Sequence, residues 1–348
     1  MATAETGIGN KGVDGVHGNG SVFELDGGMR KSLVYGPVTS RRLGLSVGVD
    51  MVPFKVCSFD CVYCQIGRTE KTTVARSDFG LLDRIFEDLE RKLESGAKPD
   101  HITLGGSGEP TMNLEIGKII RGIKKITTIP VAVLTNGSLL WDQNVRDELS
   151  AADIVLPSID AADQETYQKI NRAHPDIAFD RFVEGVISFS HSFGGQIWVE
   201  IFLIKDINTS DAHLAKLKQL MEKIRPDRVH LNTAVRPPAE GFVSAVDQGE
   251  LQAMAAKINY NAEVIAEYKE KPEPPVEKRD LPEDEFIDVL LRRPCTTREI
   301  AVALNTNEKQ VTALANRLVA EGRIRSRISG SETYYLCMAE SGNRAGSC

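Results

Sequence analysis

Between Gly44 and Asn232 the sequence alternates short apolar runs with longer amphipathic stretches. Six of the runs read as β-strands: LSVGVDMV, DHITLGG, IPVAVLTNG, DIVLPSID, QIWVEIFLI and DRVHLNT. The intervening stretches, such as DFGLLDRIFEDLERKLES, repeat apolar residues at helical spacing. Strands joined through helices pair in parallel, and continuously apolar strands are those that helices cover. The sequence therefore predicts an α/β fold, and this pattern leaves an open doubly wound sheet and a barrel as alternatives.

A change of composition near Tyr268 divides the chain. The segment YKEKPEPPVEKRDLPEDE packs four prolines among charges, which is typical of a stiff, solvated linker. A chain of 348 residues is long enough for one large core and a small second one. We therefore predict five segments: a flexible leader at 1–28, the α/β domain at 29–267, a linker at 268–280, a second domain at 281–338 and a disordered tail at 339–348.

The second domain reads as three short helices followed by two strands. The helical stretches are DEFIDVLLRR, TTREIAVAL and EKQVTALANRLVAEG, and RIRSRISGSETYYLC forms two strands around a Ser-Gly turn. This order predicts a winged helix-turn-helix with the hairpin as the wing. Arg323, Arg325 and Arg327 alternate along the wing strand, where we expect them to project together and meet phosphate. RNA, DNA or a peptide is the predicted partner, and a solvated strand in a docking domain is the alternative.

The bulk charge bears on the class of partner and on location. A net charge of −7 and a pI near 5.6 argue against a protein that coats nucleic acid or anionic membrane through overall charge. No apolar run has the length needed to cross a bilayer, and the first residues lack an export signal. We predict a cytoplasmic protein without membrane association, in which clustered cysteines bind metal or carry out redox chemistry.

Three of the six cysteines lie together in VCSFDCVYCQIGRTE, directly after the first predicted strand. A structural zinc site needs four ligands, and no further cysteine or nearby histidine completes a set with Cys57, Cys61 and Cys64. Three thiolates instead suit a [4Fe–4S] cluster that leaves one iron open to a small chelating molecule. Tyr63, next to the last cysteine, is placed to pack beside a planar ligand. The motif predicts an iron–sulfur site, with a zinc-bound module as the alternative.

The spacing C-x3-C-x-aromatic-C after the first strand of a βα series resembles the radical S-adenosylmethionine superfamily. The segments YGPVTSRRLGLSVGVD and CVYCQIGRT are similar to its wyosine-synthase-like iron–sulfur oxidoreductase branch, over roughly Leu33 to Pro238. The resemblance implies a partial (β/α)6 barrel at 29–267, with a [4Fe–4S] cluster and S-adenosylmethionine as cofactors.

The resemblance also implies an activity. The reduced cluster would cleave S-adenosylmethionine to methionine and a 5′-deoxyadenosyl radical, which abstracts hydrogen from an unidentified substrate, with RNA and peptide among the candidates. The chain would then be an oxidoreductase or transferase whose electron comes from a flavodoxin or a ferredoxin. The protein would bind and orient these molecules and exclude competing reactions.

The segment TLGGSGEPT ends the second predicted strand and supplies candidates for holding the cofactor. Gly106 and Gly108 permit close backbone approach, and Glu109 offers an anion for the methionyl ammonium. The segment matches the superfamily's Gly-Gly-Glu motif, although Ser107 makes it a G-S-G-E-P variant. A plain strand-to-helix turn opened by Pro110 is the alternative.

Further polar residues follow the other strands, at the edge where α/β barrels form their sites. They are Thr135 and Asn136 after the third strand, Ser158 and Asp160 after the fourth, Glu200 within the fifth, and Asn232 ending the sixth. Ser158 and Asp160 are candidates for the ribose hydroxyls or the methionyl carboxylate, with capping or turn chemistry as the alternative. Glu200 is a candidate because a carboxylate within an apolar strand needs a partner.

Three arginines and one histidine also bear on the predicted site. Arg41, Arg42 and Arg236 are placed to face an anionic substrate, and surface ion pairing is the more common alternative for each. His230 alternates with apolar neighbours along the last strand, which predicts a structural role.

One departure limits the resemblance. The tRNA-modifying wyosine enzymes bind a second cluster through three upstream cysteines, and no cysteine precedes Cys57 here. The wyosine reaction is therefore not assigned. The competing class is an iron–sulfur redox-sensing regulator that binds DNA through the winged helix without turning over S-adenosylmethionine.

Overall fold

The computed structural model of the protein describes residues 32–266, 281–330 and 332–337. The predicted leader at 1–28, linker at 268–280 and tail at 339–348 lie outside these residues. Within them, no helix combines the length and the apolar character that a membrane crossing requires.

An eight-stranded sheet forms the centre of the larger domain. Its strands are β1 (Val34–Ser40), β2 (Gly44–Val49), β3 (His101–Leu104), β4 (Val131–Thr135), β5 (Ile154–Pro157), β6 (Gln196–Phe202), β7 (Arg228–Asn232) and β8 (Ala262–Val264). They lie side by side in chain order, with β1 antiparallel to β2 and every later pair parallel. In the described part of the chain β1 and β8 share no hydrogen bonds, so the sheet is open. The predicted mostly parallel sheet is confirmed, and it is consistent with a partial barrel.

Helices connect the parallel strands. They are α1 (Leu82–Glu94), α2 (Ile116–Ile126), α3 (Gln143–Leu149), α4 (Gln164–Asn171), α5 (Phe179–Ser192), α6 (Asp211–Ile224) and α7 (Gln248–Ile258), and a short 3-10 turn covers Pro110–Met112. The helices bury one face each. In α2 the buried residues Ile116, Ile119, Ile120 and Ile123 repeat at helical spacing.

The two faces of the sheet carry different cores. Because side chains alternate along a strand, Val155 and Val199 pack with the helices while Leu156 and Trp198 pack on the opposite, inner face. Leu43, in the turn between β1 and β2, joins the inner cluster. The inner face therefore has a filled apolar floor, and its polar side chains lie further along the strands.

The C-terminal segment has its own core. It consists of α8 (Glu283–Leu290), α9 (Thr297–Ala303), α10 (Glu308–Ala320) and the antiparallel strands β9 (Ile324–Ser329) and β10 (Glu332–Cys337). These elements lie where the sequence predicts three helices and two strands. Phe286, Ile300 and Leu318 are fully buried between them. The guanidinium of Arg292 donates to the carbonyl oxygen of Ser32 at 2.8 Å, which fastens this segment to the larger domain beside β1.

Candidate functional site

The cysteine motif lies on residues 50–81, the connection between β2 and α1, which we call the cysteine loop. Cys57, Cys61 and Cys64 are each partly buried. The N–H groups of Asp60 and Val62 donate to backbone carbonyls at the end of α4, at 3.0 and 2.9 Å. The loop therefore keeps a fixed path although it carries no regular secondary structure.

Burial makes two of these thiols reluctant to ionise. It raises the pKa of Cys57 to about 12, with a further contribution from the nearby Glu109 carboxylate. It also raises the pKa of Cys61 well above its usual value, and Asp160 adds to that effect. Such thiols are poor nucleophiles at neutral pH, because the thiolate is the reactive form. Metal coordination deprotonates a thiol outright, so the set fits a metal centre better than covalent catalysis.

A side-chain nitrogen lies close to each cysteine sulfur. The nitrogen-to-Sγ distances are 3.5 Å for Asn136 and Cys57, 3.5 Å for Asn171 and Cys61, and 3.3 Å for Lys55 and Cys64. Donors around metal-bound sulfur orient the ligand and stabilise its negative charge. Sequence reasoning missed Lys55 and Asn171 in this role.

The sulfurs do not form a mononuclear site. Among the described residues no three His, Cys, Asp or Glu side chains converge as ligands of one metal ion. A [4Fe–4S] cluster does not require such convergence, because each thiolate binds a different iron. The lack of a mononuclear arrangement among the described residues therefore does not conflict with a cluster on this loop.

The glycine-rich segment after β3 runs against the cysteine loop. The N–H of Glu109 donates to the carbonyl of Val56 at 2.9 Å, and the N–H of Lys55 donates to the carbonyl of Ser107 at 2.7 Å. A side chain at Gly108 would clash with the carbonyl oxygen of Val56. The absence of a side chain at Gly108 thus allows the two predicted site segments to touch.

Glu109 is held by the end of the neighbouring strand. Its Oε1 accepts from the Thr111 N–H at 3.1 Å and from the hydroxyls of Thr111 and Thr135, each at 2.6 Å. Its Oε2 accepts from the Asn136 N–H at 2.7 Å. Burial raises the pKa of Glu109, and these hydrogen bonds only partly oppose the shift. Oε2 keeps acceptor capacity for one more donor, since a carboxylate oxygen accepts two.

Tyr63 and Asp160 meet, with protein groups around both. The ring of Tyr63 stacks on Phe202 with centroids 3.9 Å apart, and its hydroxyl donates to Asp160 Oδ2 at 2.5 Å. Asp160 also accepts from the Asn171 side chain and from the Phe202 N–H, both at 2.8 Å. Burial raises the pKa of Asp160 to about 6. These contacts hold the cysteine loop against β6, and the expected binding of ribose or carboxylate by Asp160 stays a prediction.

Glu200 has the partner that its position demands. It forms an ion pair with Arg42, and its Oε1 accepts from the Asn232 amide at 3.3 Å. Arg41 donates to Asn232 Oδ1 at 3.2 Å. A backbone bridge brings Ser158 beside Glu200. Two of the three arginines expected to face a substrate, Arg41 and Arg42, therefore join the turn between β1 and β2 to the strand ends of β6 and β7.

His230 lies on the inner face near this network. It is buried, with its ring edge-to-face against Trp198 at 5.5 Å, and no described residue binds its Nδ1. Burial lowers its pKa to about 4. This environment fits the predicted structural role.

Residues 233–247, which we call the bridging loop, connect β7 to α7 and reach two parts of the molecule. Near one end, Arg236 is 5% exposed and forms an ion pair with Glu299 of α9. Further along, Glu240 Oε1 accepts from Arg68 of the cysteine loop and from Arg172 after α4, each at 2.6 Å. Hydrogen bonds from Arg172 lead the lowering of the pKa of Glu240. No pattern in the sequence predicts these contacts.

A cavity of about 560 Å³ lies between the bridging loop, β1 and the C-terminal segment. Arg41 and Arg236 line it from the larger domain, and Glu299 and Tyr334 line it from α9 and β10. Arg41 also donates to Asn232, so it stands between the cavity and the Glu200 network. The volume falls in the range of ligand pockets.

A UPF0026 protein of Synechocystis sp. is 38% identical to this chain over 209 residues, which cover 59% of this chain and 76% of that protein. The chain belongs to the UPF0026 family. The family model of the Radical SAM superfamily matches residues 51–217 of this UPF0026 chain. This range contains the cysteine motif, Glu109, Asp160 and Glu200. The chain therefore carries a radical SAM superfamily domain.

A relative from Brachyspira hyodysenteriae named GTPase Obg is 37% identical over 303 residues, which cover 86% of the UPF0026 chain and 44% of that protein. The chain thus spans less than half the length of that relative. The one Gly-Lys pair of the sequence, Gly117-Lys118, is followed by Ile119, so the sequence has no G-x4-G-K-[S/T] phosphate-binding motif. The GTPase name therefore stays with the relative.

The radical SAM methyltransferase from Sphaerobacter thermophilus shares the fold. Its crystal structure superposes with a TM-score of 0.51 and 17% sequence identity, over 63% of the UPF0026 chain and 65% of that chain. At this identity the likeness concerns architecture alone.

Proposed function

We propose that this UPF0026 chain is a radical S-adenosylmethionine enzyme that binds a [4Fe–4S] cluster through Cys57, Cys61 and Cys64. One observation carries the proposal: Asn136 joins the cysteine motif to Glu109, since its N–H donates to the carboxylate and its amide lies at Cys57. When bound and reduced, the cluster supplies the electron that cleaves S-adenosylmethionine to methionine and a 5′-deoxyadenosyl radical.

The protein's own groups bind and orient the cofactor in this proposal. Glu109 accepts the methionyl ammonium at Oε2, the oxygen with spare acceptor capacity. Gly106 is exposed after β3, and Gly108 lets the glycine-rich segment approach the cysteine loop closely. The carboxyl ends of the neighbouring strands are lined or supported by five further predicted residues: Tyr63, Thr135, Ser158, Asp160 and Glu200. Arg42 forms an ion pair with Glu200 and so holds its carboxylate in place.

We assign the C-terminal segment a winged-helix role in selecting a macromolecular substrate. Its helices and hairpin follow the order of that motif, and Arg325 and Arg327 are exposed along β9. Arg323 differs from the predicted pattern of three projecting arginines, since it pairs with Glu283. We propose RNA as the substrate to test first, with DNA and peptide as outcomes of the same test. A flavodoxin or ferredoxin is the proposed electron donor.

Anaerobic cofactor cleavage tests the proposal. The full-length protein is reconstituted with iron and sulfide, mixed with S-adenosylmethionine and dithionite, and analysed for 5′-deoxyadenosine by mass spectrometry. We expect product from the wild type and none from Cys61→Ala. Cys295→Ala is the matched control, because Cys295 is buried in the C-terminal core away from the motif, and it should retain activity. A loaded, reducible cluster that yields no product would refute the proposal.

A further inference from the structure

Lys55 occupies an unusual backbone position next to the cysteine motif. Its φ of 63° is in the left-handed region, which costs a non-glycine residue conformational energy. The hydrogen bond from its N–H to Ser107, at 2.7 Å, holds it there. Glycine would adopt this backbone conformation with less strain. The presence of lysine therefore directs attention to the contacts of its side chain.

The side chain of Lys55 turns back into the cysteine loop. Its Nζ lies 3.3 Å from Cys64 Sγ and 2.5 Å from the carbonyl oxygen of Gly67. The N–H of Gly67 in turn donates to the carbonyl of Cys64 at 3.3 Å. The loop after Cys64 thus folds around the ammonium group and fixes it against the sulfur.

The three nitrogen donors at the cysteine sulfurs differ in charge. Asn136 and Asn171 present neutral amides, whereas Lys55 presents a cation. Hydrogen bonds from ionised donors are roughly twice as strong as neutral ones. A cluster gains negative charge on reduction, so a cation beside one ligand stabilises the reduced state more than the oxidised state.

We infer that Lys55 is a positioning residue that raises the reduction potential of the cluster through its contact with Cys64. The inference rests on the proposed cluster and adds a group that controls how readily that cluster accepts its electron. A purely structural role, in which Lys55 only holds the carbonyl of Gly67, predicts no change in potential when the charge alone is removed.

The test compares Lys55→Met, which removes charge and donor, with Lys55→Arg, which keeps both. Each full-length protein is reconstituted, its iron and sulfide are counted, and the reduced fraction is followed by electron paramagnetic resonance during a redox titration. For Lys55→Met we expect the ratio of reduced to oxidised cluster at a fixed potential to fall about tenfold, which corresponds to ~59 mV for one electron. Lys55→Arg should restore the wild-type ratio.

Lys71→Met is the matched control, because Lys71 is an exposed lysine later in the same loop and it should leave the ratio unchanged. An intact cluster with the wild-type ratio in Lys55→Met would overturn the inference. Where Lys55→Met assembles no cluster, Lys55→Gln keeps a donor for Gly67 without the charge and should show the same fall. Failure of both uncharged variants to assemble would also overturn it. Failure of the wild type to assemble a cluster would instead refute the proposed function.

Discussion

The backbone N–H of Asn136 donates to Glu109 Oε2 at 2.7 Å while its side-chain amide lies 3.5 Å from Cys57 Sγ. One residue at the end of β4 therefore holds both the carboxylate proposed for the cofactor's ammonium and a sulfur proposed for the cluster. A shift of Asn136 would disturb the two sites together. This coupling makes Glu109 the most informative residue to change without touching a cysteine.

Glu109→Gln should weaken binding of S-adenosylmethionine at least tenfold, since hydrogen bonds to charged groups contribute about 1.5–3 kcal/mol. Anaerobic isothermal titration with the cluster-loaded protein measures the dissociation constant. Glu115→Gln is the control, because Glu115 pairs with the exposed Lys118 at the start of α2. Equal affinities for Glu109→Gln and wild type would show that the cofactor does not use this carboxylate.

Gly108→Ala should destabilise the contact between the glycine-rich segment and the cysteine loop. The added methyl group clashes with the carbonyl of Val56, and overpacking of this kind costs about 1–3 kcal/mol. We expect a lower melting temperature and less iron bound per chain after reconstitution. Gly194→Ala, which has open space around the new methyl group, should change neither quantity. Normal iron content in Gly108→Ala would mean that the loops adjust freely.

Arg42 and Glu200 should be coupled, so that the free energy of unfolding lost in the double variant is smaller than the sum of the two single losses. Arg42→Met leaves the carboxylate without its cation and should cost about 2 kcal/mol, less than for a fully buried pair because part of the Arg42 side chain is exposed. Glu200→Gln in the same chain should recover part of that loss. Urea unfolding of the two single variants and the double variant measures the coupling, and strictly additive losses would contradict it.

His230 should make stability fall in mild acid. Its pKa of about 4 lies below the ordinary value of 6.5, so between these values the unfolded chain binds a proton that the folded chain excludes. The free energy of unfolding therefore decreases as pH falls through this window, by about 3 kcal/mol at full effect. His230→Leu should show a flatter pH profile in urea unfolding. The exposed His191→Leu should keep the wild-type slope, and parallel profiles for all three would exclude this role.

Arg325 and Arg327 should carry the electrostatic part of RNA binding. Their joint replacement by alanine should weaken binding of a 20-nucleotide RNA and lower the slope of log affinity against log salt by about 1.4, for two lost phosphate contacts on a single strand. Fluorescence anisotropy at several salt concentrations measures both. Arg317→Ala, whose guanidinium pairs with Glu283, is the control. An unchanged slope, or tighter binding of DNA or an acidic peptide than of RNA, would reject RNA as the partner of this surface.

The periodicity of the sequence was sufficient for the six parallel strands β2 to β7, because each is a continuous apolar run between amphipathic helices. It did not reveal β1 or β8. Gly36 and Pro37 interrupt the strand pattern of β1, and its register with β2 shifts there. β8 has only three residues, too few for a recognisable strand pattern. The pattern also missed α4, because few of its eight residues are apolar.

Some contacts of the candidate site could likewise be predicted from the sequence, and others could not. Glu109, Thr135 and Asn136 could be predicted to meet because they follow neighbouring parallel strands, whose carboxyl ends share an edge. Asn171 could not, since it lies 110 residues from Cys61 and reaches it only through the docking of α4 on the cysteine loop. Contacts made by such packing leave no local pattern in a single sequence.

The bridging loop couples the larger domain to the C-terminal segment, so neither can be exchanged between relatives without regard to the other. Arg236 and Glu299 lie on opposite sides of the boundary, and a buried charge that loses its partner is strongly destabilising. A chimera that exchanges the C-terminal segment between relatives must therefore carry a compatible residue at position 236. It must also preserve Glu240, which anchors the same loop to the cysteine motif. Under the proposed role of the C-terminal segment, a change of substrate would therefore require joint replacement of the bridging loop and the segment, rather than exchange of the segment alone.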